Sequence, residues 1–380
     1  MVKIFSCFSR MLLLLLARCV VTESVDPGLI AFNAKPVLGI HLGSSYGTVV
    51  AYFPNGTFLN IAKVDGTPSY INFVRREMNK RQPSLWNQNR HDQYGRERFV
   101  WLKKLFGIPT WTEILTEMLL PLRQAAEVAL GSPLQREVSI TVPGMQTWIT
   151  YGTGEFIVNP AARLSGIQPS INDIRGPIYN PEVNAVLAAN GHYLCLEDWC
   201  LWPEGYIDID RSTMIYYISI TNSAVYTTII EMSCLGYNGP GYVPGNIELL
   251  SKFETGTNAS APALDKLEAF LRSKLTRLCT PKTCWPDDEY LVVFTGEAAS
   301  KPGYVSVMEN VVDSMRQDKQ FKDGKIELLI SEDPIYDAAK GTAIWARMVS
   351  GGFNCSSYDR ENDRQDSWDP PEAWSGRDEL

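Results

Sequence analysis

Val37-Leu38-Gly39-Ile40-His41-Leu42-Gly43-Ser44-Ser45-Tyr46-Gly47-Thr48-Val49-Val50-Ala51-Tyr52-Phe53 is the stretch whose reading decides the fold. Two runs rich in β-branched and apolar residues flank a short Gly/Ser segment, the pattern of a β-hairpin. Asn55-Gly56 comes next, a tight-turn pair that predicts a third strand near Thr57–Lys63. The chain is therefore expected to open its folded part with an antiparallel meander.

Outward from this meander the pattern alternates. Residues 77–98 are polar and read as a loop, while 99–106 and 111–130 carry helical spacing, as in Ile114, Leu115, Met118, Leu119, Leu122 and Ala126. Val138–Val142 reads as a short buried strand ending at Pro143-Gly144, and 154–165 and 181–190 read as helices. A second β-rich block is expected at Gly205–Asp210, Met214–Thr221 and Ala224–Cys234, repeating the opening meander in outline. Residues 235–262 are rich in Gly, Pro and Asn and read as an exposed connection. Helix Leu264–Leu278, strand Tyr290–Thr295, a helix near Val305–Arg316, strand Ile326–Ile330 and helix Ala338–Ser350 complete the pattern, and a polar tail follows at 352–376. Two meanders, each followed by alternating helix and strand, predict two related α/β lobes, at 36–190 and 191–351.

Composition narrows the function. The formal net charge of −8 comes with no basic stripe, which argues against a nucleic-acid partner. The only histidines are His41, His91 and His192, too few for a histidine-based triad or metal cluster, and His91 falls in a polar loop. Asp287, Asp288 and Glu289 read as a solvated turn. Trp199, Trp202, Trp285 and Trp345 fit either core positions or a protein-binding patch.

The ends of the sequence carry compartment signals. A basic opening and the run Met11-Leu12-Leu13-Leu14-Leu15-Leu16-Ala17 match a signal peptide over residues 1–22, too short an apolar run to span a bilayer. Arg377-Asp378-Glu379-Leu380 differs from the Lys-Asp-Glu-Leu retrieval signal by one basic-for-basic change. The expected location is the endoplasmic reticulum lumen, with no membrane span in the mature form. Asn55, Asn258 and Asn354 stand in sequons and are candidate glycosylation sites. Cys195 and Cys200 share one spacing with Cys279 and Cys284, and the two pairs are candidate local disulfides in an oxidising compartment. Zinc is the weaker alternative, because only His192 is near either pair.

The order of segments resembles the nucleotide-binding domain of the heat shock protein 70 family, within the actin-like ATPase superfamily. Gly39-Ile40-His41-Leu42-Gly43-Ser44-Ser45-Tyr46-Gly47 looks like that family's first phosphate hairpin, Gly-Ile-Asp-Leu-Gly-Thr-Thr-Tyr-Ser. Thr67-Pro68-Ser69-Tyr70-Ile71 is similar to its Thr-Pro-Ser-Tyr-Val, and Lys103-Lys104-Leu105-Phe106-Gly107 to its Lys-Arg-Leu-Ile-Gly. Ile140-Thr141-Val142-Pro143, the stretch from Pro181-Glu182 to Gly191, and Asp333-Pro334 through Ala343 extend the likeness over residues 36–351. The resemblance implies a two-lobed actin-like ATPase (ribonuclease H-like) fold of the α/β class. The span between Cys234 and Tyr290 is too short for the family's full upper subdomain of the second lobe, and no substrate-binding domain follows.

It also implies ATP or ADP in a cleft between the lobes, gripped by one hairpin from each lobe through backbone N–H groups. The residues carried over are Gly43, Ser44, Ser45 and Tyr46 for the first hairpin, and Asp208-Ile209-Asp210-Arg211-Ser212-Thr213 for the second, with Asp208 catalytic and Arg211, Ser212 and Thr213 on phosphate. Gly296 and Glu297 stand for the adenosine loop, and Glu182, the second catalytic candidate, for the family's magnesium-site glutamate, with the Pro-Glu order swapped. The departures put turnover in question. His41 replaces an aspartate and is a poor magnesium ligand, so magnesium is in doubt. The glycines of the second hairpin are gone, and the adenosine loop lacks its second glycine and its arginine. The reading is a divergent nucleotide-binding protein, linked to lumenal chaperones, co-chaperones or client proteins, with weak hydrolysis or none. An active ATP-hydrolysing chaperone of reduced size and a non-nucleotide adaptor are the alternatives.

Overall fold

Strand β1 (Val37–Leu42) and strand β2 (Tyr46–Tyr52) form the expected hairpin, and β3 (Phe58–Asp65) completes the meander. The structure, a computed structural model, describes residues 36–78, 109–134, 138–143, 158–167, 171–172, 176–177, 179–194, 207–209, 213–231, 243–253, 260–275, 289–321 and 324–350. Of the expected loop at 77–98, residues 77 and 78 instead end a helix and the rest lies outside those residues, as do the helix at 99–106, Asn258, Asn354 and both terminal signals. So do the four candidate disulfide cysteines, Cys195, Cys200, Cys279 and Cys284.

Helix α1 (Pro68–Met78) follows the meander, a helix the sequence reading lacks. Helix α2 (Trp111–Leu130) has the expected bounds because its ends are chemically marked. Thr110 and Glu113 form a reciprocal capping box at its start, and Gly131 takes the left-handed conformation at its end. Next come β4 (Val138–Val142), α3 (Val158–Leu164), the short β5 (Ile171–Asn172) and β6 (Gly176–Pro177), β7 (Tyr179–Pro181) and α4 (Glu182–Ala189). The first sheet is ordered β3-β2-β1-β4-β7, with β4 parallel to β1 and β7 parallel to β4.

The second lobe repeats this plan, with one correction to the sequence reading. Ile207–Ile209 (β9) pairs with His192–Leu194 (β8) in a separate two-stranded sheet and is not the first strand of the second meander. That meander is β10 (Met214–Ile220), β11 (Ala224–Glu231) and β12 (Val243–Leu249). Strand β12 lies inside the stretch read as an exposed connection. It holds Pro244 and Gly245, which an edge strand tolerates because one side of it donates no ladder bonds. Helix α5 (Ala261–Leu275), β13 (Glu289–Thr295), α6 (Pro302–Gln317), β14 (Lys325–Ile330) and α7 (Asp337–Ser350) complete the lobe. Its sheet order, β12-β11-β10-β13-β14, is the first lobe's order again. Two such sheets, each a meander extended by parallel strands and crossover helices, make this the two-lobed actin-like ATPase fold. Between β12 and β13 the described residues hold one α-helix.

Both faces of the second sheet are buried, and the two faces belong to different cores. Tyr216, Ile218, Val292 and Phe294 pack with Leu267, Leu271, Met308 and Val311 of α5 and α6. The alternate residues Ile215, Tyr217, Leu291 and Val293 join the core of the first lobe. Helices α4 and α7 lie at this junction and touch backbone to backbone. A Cβ on Gly341 would stand 1.7 Å from the Ala185 carbonyl oxygen, and one on Gly39 would stand 2.0 Å from that of Ala339. No side chain fits at either crossing. No helix among the described residues is long and apolar enough to cross a membrane.

Gly341→Ala is therefore expected to cost about 3 kcal/mol or more, because neither helix can yield at a backbone contact. Gly303, also in a helix, would place a Cβ 3.1 Å from the movable tip of Leu264, so Gly303→Ala should be neutral or gain up to about 1 kcal/mol from helix propensity. Urea unfolding midpoints compare the two variants directly.

Candidate functional site

The site is built at the C-terminal ends of the parallel strands, where open α/β sheets gather their loops. The first hairpin closes with the Gly43 N–H donating to the Tyr46 carbonyl at 2.8 Å, and the Gly66 N–H donating to the Ser45 carbonyl at 2.7 Å. In the second lobe the Thr221 N–H donates to the Ala224 carbonyl at 2.8 Å, and the Leu250 N–H to the Ser223 carbonyl at 2.9 Å. The two turns share one hydrogen-bond pattern: Gly43-Ser44-Ser45-Tyr46 corresponds to Thr221-Asn222-Ser223-Ala224. The second-lobe counterpart of the first turn is thus Thr221–Ser223, not 208–213 as the sequence reading has it.

Of the residues singled out from sequence, Gly43, Ser44, Ser45 and Tyr46 form the first turn and are buried. Tyr70 fixes this turn by donating its hydroxyl to the Gly43 carbonyl at 2.7 Å. Glu182 opens α4 beneath the turn, and Gly296 and Glu297 follow β13 beside the second turn. Asp208 pairs with Tyr193 in the small sheet formed by β8 and β9. Thr213 is buried just before Met214, at the start of β10, so the length of that strand puts it roughly 20 Å from the second turn. Arg211 and Ser212 lie outside the described residues.

Beneath the first turn, His41 Nε2 stands 3.3 Å from Glu182 Oε2. Neither atom has a properly aligned hydrogen bond, although both are buried. The other Glu182 oxygen accepts from the Tyr217 hydroxyl at 2.7 Å, across the junction of the lobes. Burial, followed by the Glu182 charge, raises Tyr217 well above its ordinary value and keeps that proton in place. The Ser44 and Thr48 hydroxyls are buried without partners. A Cβ on Gly43 would fall 2.7 Å from the His41 ring, so glycine is needed where the turn passes over the imidazole.

The gap is strongly acidic. Tyr46 is pushed well above its ordinary value by burial first and then by the charges of Glu182, Glu297, Asp337 and Asp333. Two lysines answer these carboxylates. Lys340 Nζ stands 2.6 Å from Asp333 and 3.9 Å from Asp337, and Lys63 Nζ stands 2.8 Å from Glu297 and pairs with Asp65. Asn60 in β3 donates to Asp333 at 2.8 Å, so the outer strand of the first sheet is tied to the second lobe at two points. Asp337 also accepts from Ser331, and from Asn190 at 2.8 Å. Sequence reasoning singles out none of Lys63, Tyr217 and Asn222, and none stands in a recognisable motif. The second turn is legible as Asn222-Ser223 between two apolar runs.

Among the described residues, no group of three or more His, Cys, Asp and Glu side chains converges as a metal site. The first turn offers one polar group without a partner, the buried Ser44 hydroxyl.

No family model matches this chain, and no curated protein sequence matches it. Similar solved structures include the ethanolamine utilization protein EutJ from Carboxydothermus hydrogenoformans, at 11% identity and a TM-score of 0.38, over 86% of this chain and 92% of that one. The activator of the 2-hydroxyisocaproyl-CoA dehydratase from Clostridium difficile, with bound ADPNP, is 12% identical with a TM-score of 0.33, over 87% of this chain and 98% of that one. A non-polymerising mutant of MamK, bound to AMPPNP, is 14% identical with a TM-score of 0.41, over 83% of this chain and 99% of that one.

The Asp337 carboxyl is raised from its ordinary 3.8 by burial, against the hydrogen bonds from Ser331 and Asn190 and the charge of Lys340. The folded chain therefore holds this proton more tightly than the unfolded chain does. The stability linked to the group is full below the unfolded value and is lost as pH rises through the folded value. Asp337→Asn removes that loss. Relative to wild type, the variant should gain stability as pH climbs from 3.8, levelling once the native carboxyl has ionised; denaturant midpoints across pH would show it, and a constant difference would contradict it.

Proposed function

We propose that this chain is a divergent adenine-nucleotide-binding protein of the endoplasmic reticulum lumen, working with the heat shock protein 70 machinery, that binds nucleotide weakly and hydrolyses it slowly or not at all. The observation that carries the reading is the pair of matched turns, Gly43–Tyr46 and Thr221–Ala224, each ending the central strand of its own lobe. They are linked through Lys63, Glu297 and Asn222. Backbone N–H groups in such turns bind phosphate oxygens without needing particular side chains. Ser44 and Ser45 would hold one phosphate, and Asn222 and Ser223 another.

Weak binding and slow turnover follow from charge. Bound ATP supplies an activated phosphoanhydride, but a phosphate chain here meets Glu182, Glu297, Asp333 and Asp337 with two lysines already paired to carboxylates. His41 and Glu182 are also too close together to leave both groups free for an attacking water. Chaperones, co-chaperones or client proteins are the partners that the sequence resemblance proposes.

Calorimetric titration of the purified mature chain should give weak binding of ADP and ATP that magnesium does not strengthen, with phosphate release no faster than the uncatalysed background. Tight magnesium-dependent binding with turnover would restore the active-ATPase reading. No nucleotide binding at all would leave the adaptor reading.

The lumenal location has its own check. Asn55 is exposed in the β2–β3 turn, where its Oδ1 accepts from the Thr57 amide at 3.1 Å and the Thr57 hydroxyl at 2.7 Å. In secretory cells the full-length chain should carry glycans removable by endoglycosidase H, and Asn55→Gln should remove one glycan's step in mobility. An unglycosylated, cytosolic product would defeat the location.

A further inference from the structure

The tip of the second turn is already occupied. The Asn222 N–H donates to Glu297 Oε2 at 2.7 Å, where a two-hairpin grip would present that amide to a phosphate oxygen. Glu297 Oε1 stands 2.8 Å from Lys63 Nζ, on β3 of the other lobe. Lys301 Nζ donates to the Asn222 side-chain oxygen at 3.1 Å, which holds that residue from the far side. The Glu297 carboxylate is therefore met by a backbone N–H from one lobe and an ammonium from the other, the partners a phosphate oxygen would take.

The position of Glu297 is imposed by the backbone before it. Gly296 has φ of 86°, a left-handed value, and a Cβ there would stand 2.5 Å from the Ile220 carbonyl oxygen. The Ala298 N–H donates to that same carbonyl at 2.9 Å, and the Gly296 N–H to the Pro334 carbonyl at 3.2 Å. The loop is thus pinned on both sides of residue 297, and the carboxylate is delivered to the turn. The Glu297 side chain is only 9% exposed and that of Lys63 21%, so water screens the pair far less than a surface ion pair.

We propose that Glu297 is a built-in anion that fills the phosphate position of the second turn and latches the two lobes together, and that an inorganic or nucleotide phosphate binds by displacing it from the Asn222 amide and Lys63. This rests on the reading of the two turns as phosphate grips. The latch makes wild-type binding weak because each incoming phosphate must first break a charge-assisted hydrogen bond and a shielded ion pair. On release Lys63 keeps a partner in Asp65, so the cation stays at the mouth of the gap to receive the new anion.

Hydrogen exchange and binding of inorganic pyrophosphate test this on the mature chain. In Glu297→Ala, exchange in a peptide covering Thr221–Ala224 should quicken about tenfold or more. Pyrophosphate should bind that variant about tenfold tighter than wild type and restore the lost protection. Glu297→Gln keeps an acceptor oxygen without the charge, so it should gain pyrophosphate affinity with a smaller rise in exchange. Unchanged exchange in both variants, or equal pyrophosphate affinity in wild type and Glu297→Ala, overturns the latch. If pyrophosphate binds Glu297→Ala while ADP and ATP bind neither protein, the latch stands and the adenine-nucleotide reading falls.

Discussion

The contact between α4 and α7 sets everything above it. At Ala185 and Gly341 the two helices meet with no side chain between their backbones, and at Gly39 the second of them lies on the central strand of the first sheet. A packed backbone contact is stiff, because there is no rotamer to change and no void to fill. It fixes the separation of the two sheets, and with it the separation of the two turns at the ends of β1 and β10. The two loops of matching backbone pattern end the central strands of sheets that meet across this contact.

What fills the gap is charge, arranged in pairs that cross between lobes. Lys63 reaches Glu297, Asn60 reaches Asp333, and Tyr217 reaches Glu182. Each joins a first-lobe element to a second-lobe element, so the helix crossing below is matched by a ring of polar ties above. The four carboxylates acting on Tyr46 outnumber the lysines that answer them. An acidic, latched gap can hold the lobes closed by itself, whereas a gap lined with free cations would need a bound anion to hold it together. The first turn keeps its glycine and an unpartnered serine hydroxyl, while the second has no glycine and is met by a carboxylate. The repeat is symmetric in backbone and asymmetric in chemistry.

The opening meander, the helix from Trp111 to Leu130 and the strand from Val138 to Val142 are legible in sequence because local signals mark them: Asn55-Gly56, the Thr110 and Glu113 box, and Pro143. The second meander reads one strand too early. Gly205–Asp210 is apolar enough to pass for its first strand, and the true third strand is hidden by Pro244 and Gly245. That slip moves the expected phosphate turn from Thr221–Ser223 to the far end of β10. The buried residues of helix α1, Tyr70, Phe73, Val74, Glu77 and Met78, keep the i, i+3, i+4, i+7, i+8 spacing of an amphipathic helix, so its signal is present in the sequence although one of the five is a glutamate.

By itself the sequence determined the α/β class, the two-lobe repeat, the first turn and the histidine at position 41, since alternation, turn pairs and residue identity are all local properties. Tertiary structure decided which turn answers the first one, that His41 lies against Glu182, and that Glu297 reaches Lys63. Those pairings join residues far apart in the chain, and no local pattern encodes a distance that is set by two helices crossing elsewhere.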